Sequence, residues 1–480
     1  ATFSERINGE ALLEVMLDGT PDGGMHPGHI HKNSAAESGE IALTLTTLDG
    51  TTGMSKTNIS ALNDGTQIGY AGILEYDGYI NFHLSADELA TLVAQGDIGE
   101  NELTGDTKEY ELMTKDVDGI SGTATFAARK SGAALVTVML DGTPDGGMHP
   151  GHIHLNSAAE SGGIAKTLTT LDGTTGMSVT HIEALNDGTE IGYEGLLDFD
   201  GYINFHLSAD DLATLVAQGD IGANELTGET KEYDLVTKDV PGISGTATFA
   251  ARKSGAALIT VMLDGTPDGG MHPGHIHFNS AVETGGIAKT LTTLDGTTGM
   301  SVTHIEALND GTEIGYEGLL DFDGYINFHL SADNLATLVA QGDIGQNELT
   351  GESMSYDLGT KDVPGISGTA TFEERLSGET LVTLDIEGTP VGGMHPAHIH
   401  AGAVADAPGD ILITLATVDG SLGMSQTHVA AYNAADGTAN GGAAITYDEL
   451  IGIDGYINVH LSATELATIV AQGNVGANAQ

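Results

Sequence analysis

The sequence has no cysteine and no tryptophan in 480 residues, and it sets only 15 Lys and Arg against 68 Asp and Glu. The first absence excludes disulfides, thiolate metal sites, iron–sulfur clusters and cysteine nucleophiles. The shortage of positive charge leaves a formal net charge of -53, a surface that repels nucleic acid and anionic membranes and gathers cations. Aromatic residues supply only 5%, so the cores must be built from aliphatic side chains and Thr. No run approaches the roughly 18 consecutive apolar residues of a membrane-crossing helix, and no membrane insertion is expected. The opening ATFSERINGEALLEVML is strand-like rather than a basic and then apolar leader, and it reads as a processed end. An acidic, repetitive, cysteine-free chain makes an exported protein, extracellular or on the cell surface, the expectation. The cytoplasm of a salt-accumulating cell is the other setting such a charge suits.

What the sequence does contain is a repeat. The motif GGMHP places its histidine at His26, His149, His272 and His395, each 123 residues after the last. The chain is therefore read as four tandem copies, 1–105, 106–228, 229–351 and 352–480. The middle two are nearly identical, and the fourth is the most diverged, with a loop insertion in AYNAADGTANGGAAITYDELIG. A unit of this length is a domain, not a solenoid repeat. Segments such as NELTGETKEYDLVTKDVPGISG join the copies without a Pro/Ser-rich tether, so short ordered connections are expected.

Within a copy, ISGTATFAAR, GAALVTVML, GHIHLN, GIAKTLTTL, IGYEGLL and GYINFHLS are short runs rich in Val, Ile, Thr and Tyr, bounded by Asp-Gly and Gly-Gly turn signals. They predict an all-β protein of four antiparallel Greek-key-like β-sandwich domains. One short inserted helix is expected in each, over SADELATLVAQGD. Ser85 would cap it, Glu88 would complete a capping box and Gly96 would end it, with Ser208, Ser331 and Ser462 repeating the cap. Copy one begins at its ATF strand and lacks the KEYDL-type strand that precedes the internal copies. That leaves a sheet edge that is either solvated and guarded by acidic charge or paired with another molecule, which would give self-association and a head-to-tail filament.

All 19 histidines fall at repeat-equivalent positions. Copy one has His26, His29, His31 and His83; copy two has His149, His152, His154, His181 and His206. Copy three has His272, His275, His277, His304 and His329; copy four has His395, His398, His400, His428 and His460. Side chains alternate along a strand, so His152 and His154 project together while Ile153 points the other way. In GYINFHL, Ile203, Phe205 and Leu207 form one face and Tyr202, Asn204 and His206 the other. Two such strands lying side by side bring three imidazoles together, a recurrent way to hold a divalent transition metal. Nitrogen donors admit copper, zinc or nickel. His149 is read as a fourth ligand or as a group that fixes a tautomer. His181 is the weakest candidate, because Asn58 stands there in copy one. The alternative is a hydrogen-bonded network kept identical by recent duplication.

Met25, Met148, Met271 and Met394 adjoin the cluster and offer a soft ligand for Cu(I), although packing is the expected role. The loops LDGTPDGG, LDGTTG and LNDGT raise Ca²⁺ as a further cofactor. None has EF-hand spacing, and Asp-Gly is first of all turn chemistry.

At these residues the repeat resembles the CHRD domain, the chordin-type module. The resemblance rests on the GISGTATF strand, on His152-Ile153-His154 and on the later Tyr202, Asn204 and His206, in that order along the whole repeat. It implies an extracellular Greek-key-like sandwich, itself similar to copper/zinc superoxide dismutase, and it nominates His29, His31 and His83 with their equivalents as metal ligands. The chain departs from the family pattern in the SADELATLVAQG insertion and in lacking the closing arginine strand. Dismutase chemistry is not expected, because Arg6, Arg129, Arg252 and Arg375 share one position away from the histidine motifs and the net charge repels an anionic substrate. No hydrolase elbow, Walker loop, dinucleotide fingerprint or His-Glu-x-x-His occurs. The expectation is a non-enzymatic structural or interaction protein of an extracellular assembly, with divalent-cation sites; the alternative is copper or zinc sequestration or delivery.

Overall fold

A computed structural model of the chain describes residues 1–479 and is all-β, with one five-residue α-helix in each copy. It divides into two compact units, Ala1–Leu226 and Thr227–Gln480. The first holds copies one and two, the second copies three and four.

Copy two shows how the pattern folds. Eight strands close a barrel in the order Leu103–Thr114, Ser121–Arg129, Ala134–Asp141, Met177–Ile182, Ile164–Asp172, Met148–Leu155, Asp200–Ser208 and Asp211–Gly222. The last strand returns to the first through Met113 opposite Gln218 and Thr114 opposite Ala217. Period-two alternation decides which side chains enter. In Ala134–Asp141, Ala134, Val136, Val138 and Leu140 are buried, while Met139 and Asp141 face out. The first strand sends Tyr110 and Leu112 into the same core, where the Tyr110 ring meets Phe126 edge-on at 5.2 Å. Gly151 has a packing reason, since a Cβ there would overlap the Phe205 ring. Copies three and four close equivalent barrels.

The helix expected over SADELATLVAQGD is not formed. In copy two the segment continues as the strand Asp211–Gly222, and in copy one as Glu88–Gly99. Copy three does the same over Asn334–Gly345. In copy four a turn follows Ser462 and the strand Ile469–Gly476 completes the barrel. Capping and helix propensity are worth about 1 kcal/mol or less per residue. Here they yield to a full hairpin ladder with the neighbouring strand, for example Asp200 opposite Gly222 through Phe205 opposite Ala217. The helices that do form are short and lie earlier, at Tyr70–Leu74, Tyr193–Leu197, Tyr316–Leu320 and Tyr447–Ile451.

Copy one is open. Its strands form a five-stranded and a four-stranded sheet instead of a barrel, and Glu88–Gly99 is an edge. A groove of about 290 Å³ runs along that edge, lined by Phe3, Val15, Ile80, Phe82 and Ala94 among others. These correspond to the copy-two residues that pack with Tyr110 and Leu112.

Connections between copies within a unit are short and pinned. The buried Arg129 guanidinium at the start of copy two lies 2.9 Å from the Asp97 carboxylate of copy one and donates to the Asn101 carbonyl. Arg375 repeats this with Asp343 at 2.9 Å and the Asn347 carbonyl. The four arginines therefore share one position for a structural reason in at least two copies.

Candidate metal centre

The His-x-His strand and the Tyr-x-Asn-x-His strand are neighbours in every copy. In copy two, His152 sits opposite Asn204, Ile153 opposite Ile203 and His154 opposite Tyr202. The isoleucines enter the core, so the imidazoles gather on the outer face. Four histidine triads result among the described residues: His29, His31 and His83; His152, His154 and His206; His275, His277 and His329; His398, His400 and His460. In each, one nitrogen from every ring lies within 4.8 Å of the others. Nitrogen donors about 2.0–2.1 Å from a common ion fit such a cluster.

Hydrogen bonds fix which nitrogen is presented. His154 Nδ1 lies 2.8 Å from the Gly162 carbonyl, and His206 Nδ1 lies 2.7 Å from the Leu212 carbonyl. A carbonyl only accepts, so both Nδ1 atoms carry the proton and both Nε2 atoms keep their lone pair. His154 Nε2 is buried with no protein partner. The third ring, His152, approaches with Nδ1 3.1 Å from His206 Nε2. As it stands, the His152 Nδ1–H donates to His206 Nε2; to ligate through Nδ1, the neutral ring would carry its proton on Nε2 instead. The His154 ring stacks on Tyr202 at 4.9 Å, which holds its plane. Copies three and four reproduce the anchors, with His329 Nδ1 2.7 Å from the Leu335 carbonyl and His460 Nδ1 2.6 Å from the Leu466 carbonyl.

Copy one differs at two of these points. His83 Nδ1 is buried without a partner. His31 Nε2, the atom that should face an ion, lies 3.2 Å from the Asn81 side-chain oxygen, while its Nδ1 already donates to Gly39. With Nδ1 protonated, a neutral His31 ring only accepts at Nε2, so this contact is satisfied when the Asn81 amide presents its NH2 there, and it then competes with a metal for that lone pair.

Burial and mutual proximity disfavour the charged form of one or two rings in each triad. Burial, then the neighbouring His206 and His154, push His152 down to about 4. His275 and His398 are likewise pushed down to about 4 by burial and then by their partners. Burial also lowers His29, His206, His329 and His460. A neutral imidazole is the form that ligates a metal.

The remaining histidines lie outside the triads. His26, His149, His272 and His395 turn inward, each with Nδ1 3.1 Å from the backbone carbonyl of the copy's last triad histidine. His149 thereby braces the backbone of His206. A Cβ on Gly147 would come within 2.7 Å of its Nε2, so the ring is tucked beneath a glycine. His181 pairs across the sheet with Leu135, away from the triad, and its Nε2 lies 4.0 Å from Glu37 and 3.9 Å from Glu183. His428 likewise lies 3.3 Å from Glu379 and 3.9 Å from Glu283. His304 pairs with Leu258, and its Nε2 lies 3.9 Å from Glu306. In copy one, Asn58 instead donates to Glu10 at 2.9 Å.

Met25, Met148, Met271 and Met394 are exposed, so the expected packing role does not hold. The Asp-Gly loops are turns: one oxygen of Asp172 accepts from the Thr174 amide at 2.8 Å, and Asp49 does the same with Thr51 at 2.8 Å. Sequence reasoning missed the carbonyl anchors of Gly162 and Leu212, because a backbone carbonyl has no residue signature. Among known proteins, no family model and no curated sequence matches the chain.

Proposed function

We propose that the protein is a non-catalytic structural or interaction protein of tandem CHRD-like, Greek-key-like domains, exported to the cell surface or beyond, in which each histidine triad holds one transition-metal ion. Copper and zinc suit the three-nitrogen set best, with nickel admitted by the same donors. The observation that carries this reading is the fourfold triad, in which backbone carbonyls anchor the last histidine in three of the four copies. Ions bound there tie the His-x-His strand to its neighbour and to the loop that supplies Gly162, and so stiffen each copy. Self-association through sheet edges, with a filament as its extended form, is the second half of the reading.

Elemental analysis of natively purified, untagged chain tests the metal assignment. It should find up to about four ions per chain, one fewer when His154→Ala and His206→Ala are combined. An ion-free chain with its fold intact would remove the assignment.

One observation favours a second use of the same sites. His29, His152 and His398 are only partly buried, which favours sites whose ion exchanges with solvent. Rapid loss of metal to a mild chelator, with the fold retained, would favour sequestration or delivery over scaffolding.

A further inference from the structure

All thirteen methionines of the chain are exposed, and none enters a hydrophobic core. Methionine ordinarily fills core gaps, so a protein that spends every one of them on its surface needs another reason. Eleven of the thirteen fall at three repeat-equivalent positions, and the strand register shows how they meet.

In copy two, Met139 sits directly opposite Met177, Met177 opposite Asp172, and Asp172 opposite Met148. All four are exposed. The inward partners one step along, Val138, Ser178, Leu171 and His149, are buried, so the four side chains share the outer face. They form a single row across four adjacent strands. Copy one repeats it with Met16, Met54, Asp49 and Met25. Copy three repeats it with Met262, Met300, Asp295 and Met271. Copy four keeps Met424, Asp419 and Met394 but has Asp385 at the first place.

We infer that each row is a second metal site, separate from the histidine triads, for a soft monovalent d¹⁰ cation, Cu(I) or Ag(I). Thioether sulfur is the protein donor that selects such ions over Zn²⁺ or Ca²⁺. Facing residues on paired strands have Cβ atoms about 4.5–5.5 Å apart, within which two flexible methionine side chains bring their sulfurs to one point. Met148 lies two strands from Met177, roughly 10 Å at the strand spacing, and reaches back over the aspartate between them. The aspartate is fixed for this: one oxygen of Asp172 is held by the Thr174 amide and the other is free to face the cation. Asp295 and Asp419 are held in the same way, by the amides of Thr297 and Ser421. The chain's charge of -53 concentrates cations at this surface.

The chain supplies its own control, because Met113 and Met354 are exposed but stand outside the rows. The test is Ag⁺ titration of the full chain, with the triads first filled with Zn²⁺ and the methionine methyl groups labelled with ¹³C for NMR. The eleven row methyls should shift on Ag⁺ and not on Zn²⁺, while Met113 and Met354 stay in place. Met394 and Met424, lacking a third sulfur, should saturate at an Ag⁺ concentration at least about tenfold higher than the copy-two row. Met177→Leu, which keeps volume and exposure, should abolish the shifts of Met139 and Met148 and spare the other copies. Row methyls that do not shift, or thirteen methyls that shift alike, would overturn the inference. Because the triads are saturated beforehand and read by zinc content, failure here leaves the histidine assignment untouched.

Discussion

Copy one and copy two carry the same His-x-His and Tyr-x-Asn-x-His strands, yet one is an open pair of sheets and the other a closed barrel. The difference begins at a single strand. Where Leu103–Thr114 lies against Asp211–Gly222, Val216 and Ala217 are fully buried. In copy one the equivalent Val93 is 39% exposed, and Glu88–Gly99 is bare along most of its length. The metal site feels this as well. The Leu212 carbonyl that anchors His206 belongs to the closed copy's last strand, and the corresponding nitrogen of His83 has no partner in the open copy. Barrel closure and triad organisation thus go together.

The largest effect is expected when copy two is made to resemble copy one. Leu112→Ala removes a fully buried side chain from the closing strand and should cost about 2–5 kcal/mol. Hydrogen exchange along Asp211–Gly222 should rise toward that of Glu88–Gly99; unchanged protection would separate closure from that strand.

The converse experiment supplies the strand. A peptide TKEYDLVTKDV, the sequence of residues 230–240, added in trans should protect Glu88–Gly99 from exchange. A Tyr→Lys, Leu→Lys version of the peptide should not. Equal effects, or none, would refute strand acceptance at this edge.

The closed copies also predict a pH dependence. Burial and the neighbouring imidazoles push His152, His275 and His398 down to about 4 from an ordinary 6.5. Between those values the unfolded chain binds more protons than the folded one, so ion-free stability falls as pH drops from about 6.5 to about 4 and levels off below. Denaturant midpoints at pH 7, 5.5 and 4 check the sign. Replacing His152 with Gln should flatten its share of the slope, and an unchanged slope would remove that residue as the source.

The smallest effect concerns His181. Substitution with Asn, the residue copy one uses there, should change stability by about 1 kcal/mol or less and leave metal content intact. A lost metal equivalent would return His181 to the site.

The parts legible in the sequence were those that side-chain identity encodes. Alternation in GYINFHL separated Ile203 and Phe205 from Asn204 and His206, and pairing of the two histidine strands then made the triad. The misread segment is instructive, because Leu, Ala and Val after a Ser cap look helical while a hairpin partner holds them extended. The error also hid chemistry: in a helix the Leu212 carbonyl would accept from the amide four residues on, whereas in the strand it is free to hold His206. Eight-stranded closure was equally illegible, since it depends on Thr114 meeting Ala217 more than 100 residues away. The outer methionine row was hidden for the same reason.

All four triads can hold a metal ion, but three are organised for it by their carbonyl anchors and that of copy one is not. Titrating ion-free chain with Co²⁺, whose d–d bands report tetrahedral nitrogen coordination, tests that contrast most directly. About three equivalents should bind tightly and a fourth on the order of tenfold more weakly, assigned to copy one by its loss in His29→Ala. Four identical sites would contradict the contrast between open and closed copies, and no coordinated Co²⁺ in a folded chain would contradict the metal assignment itself.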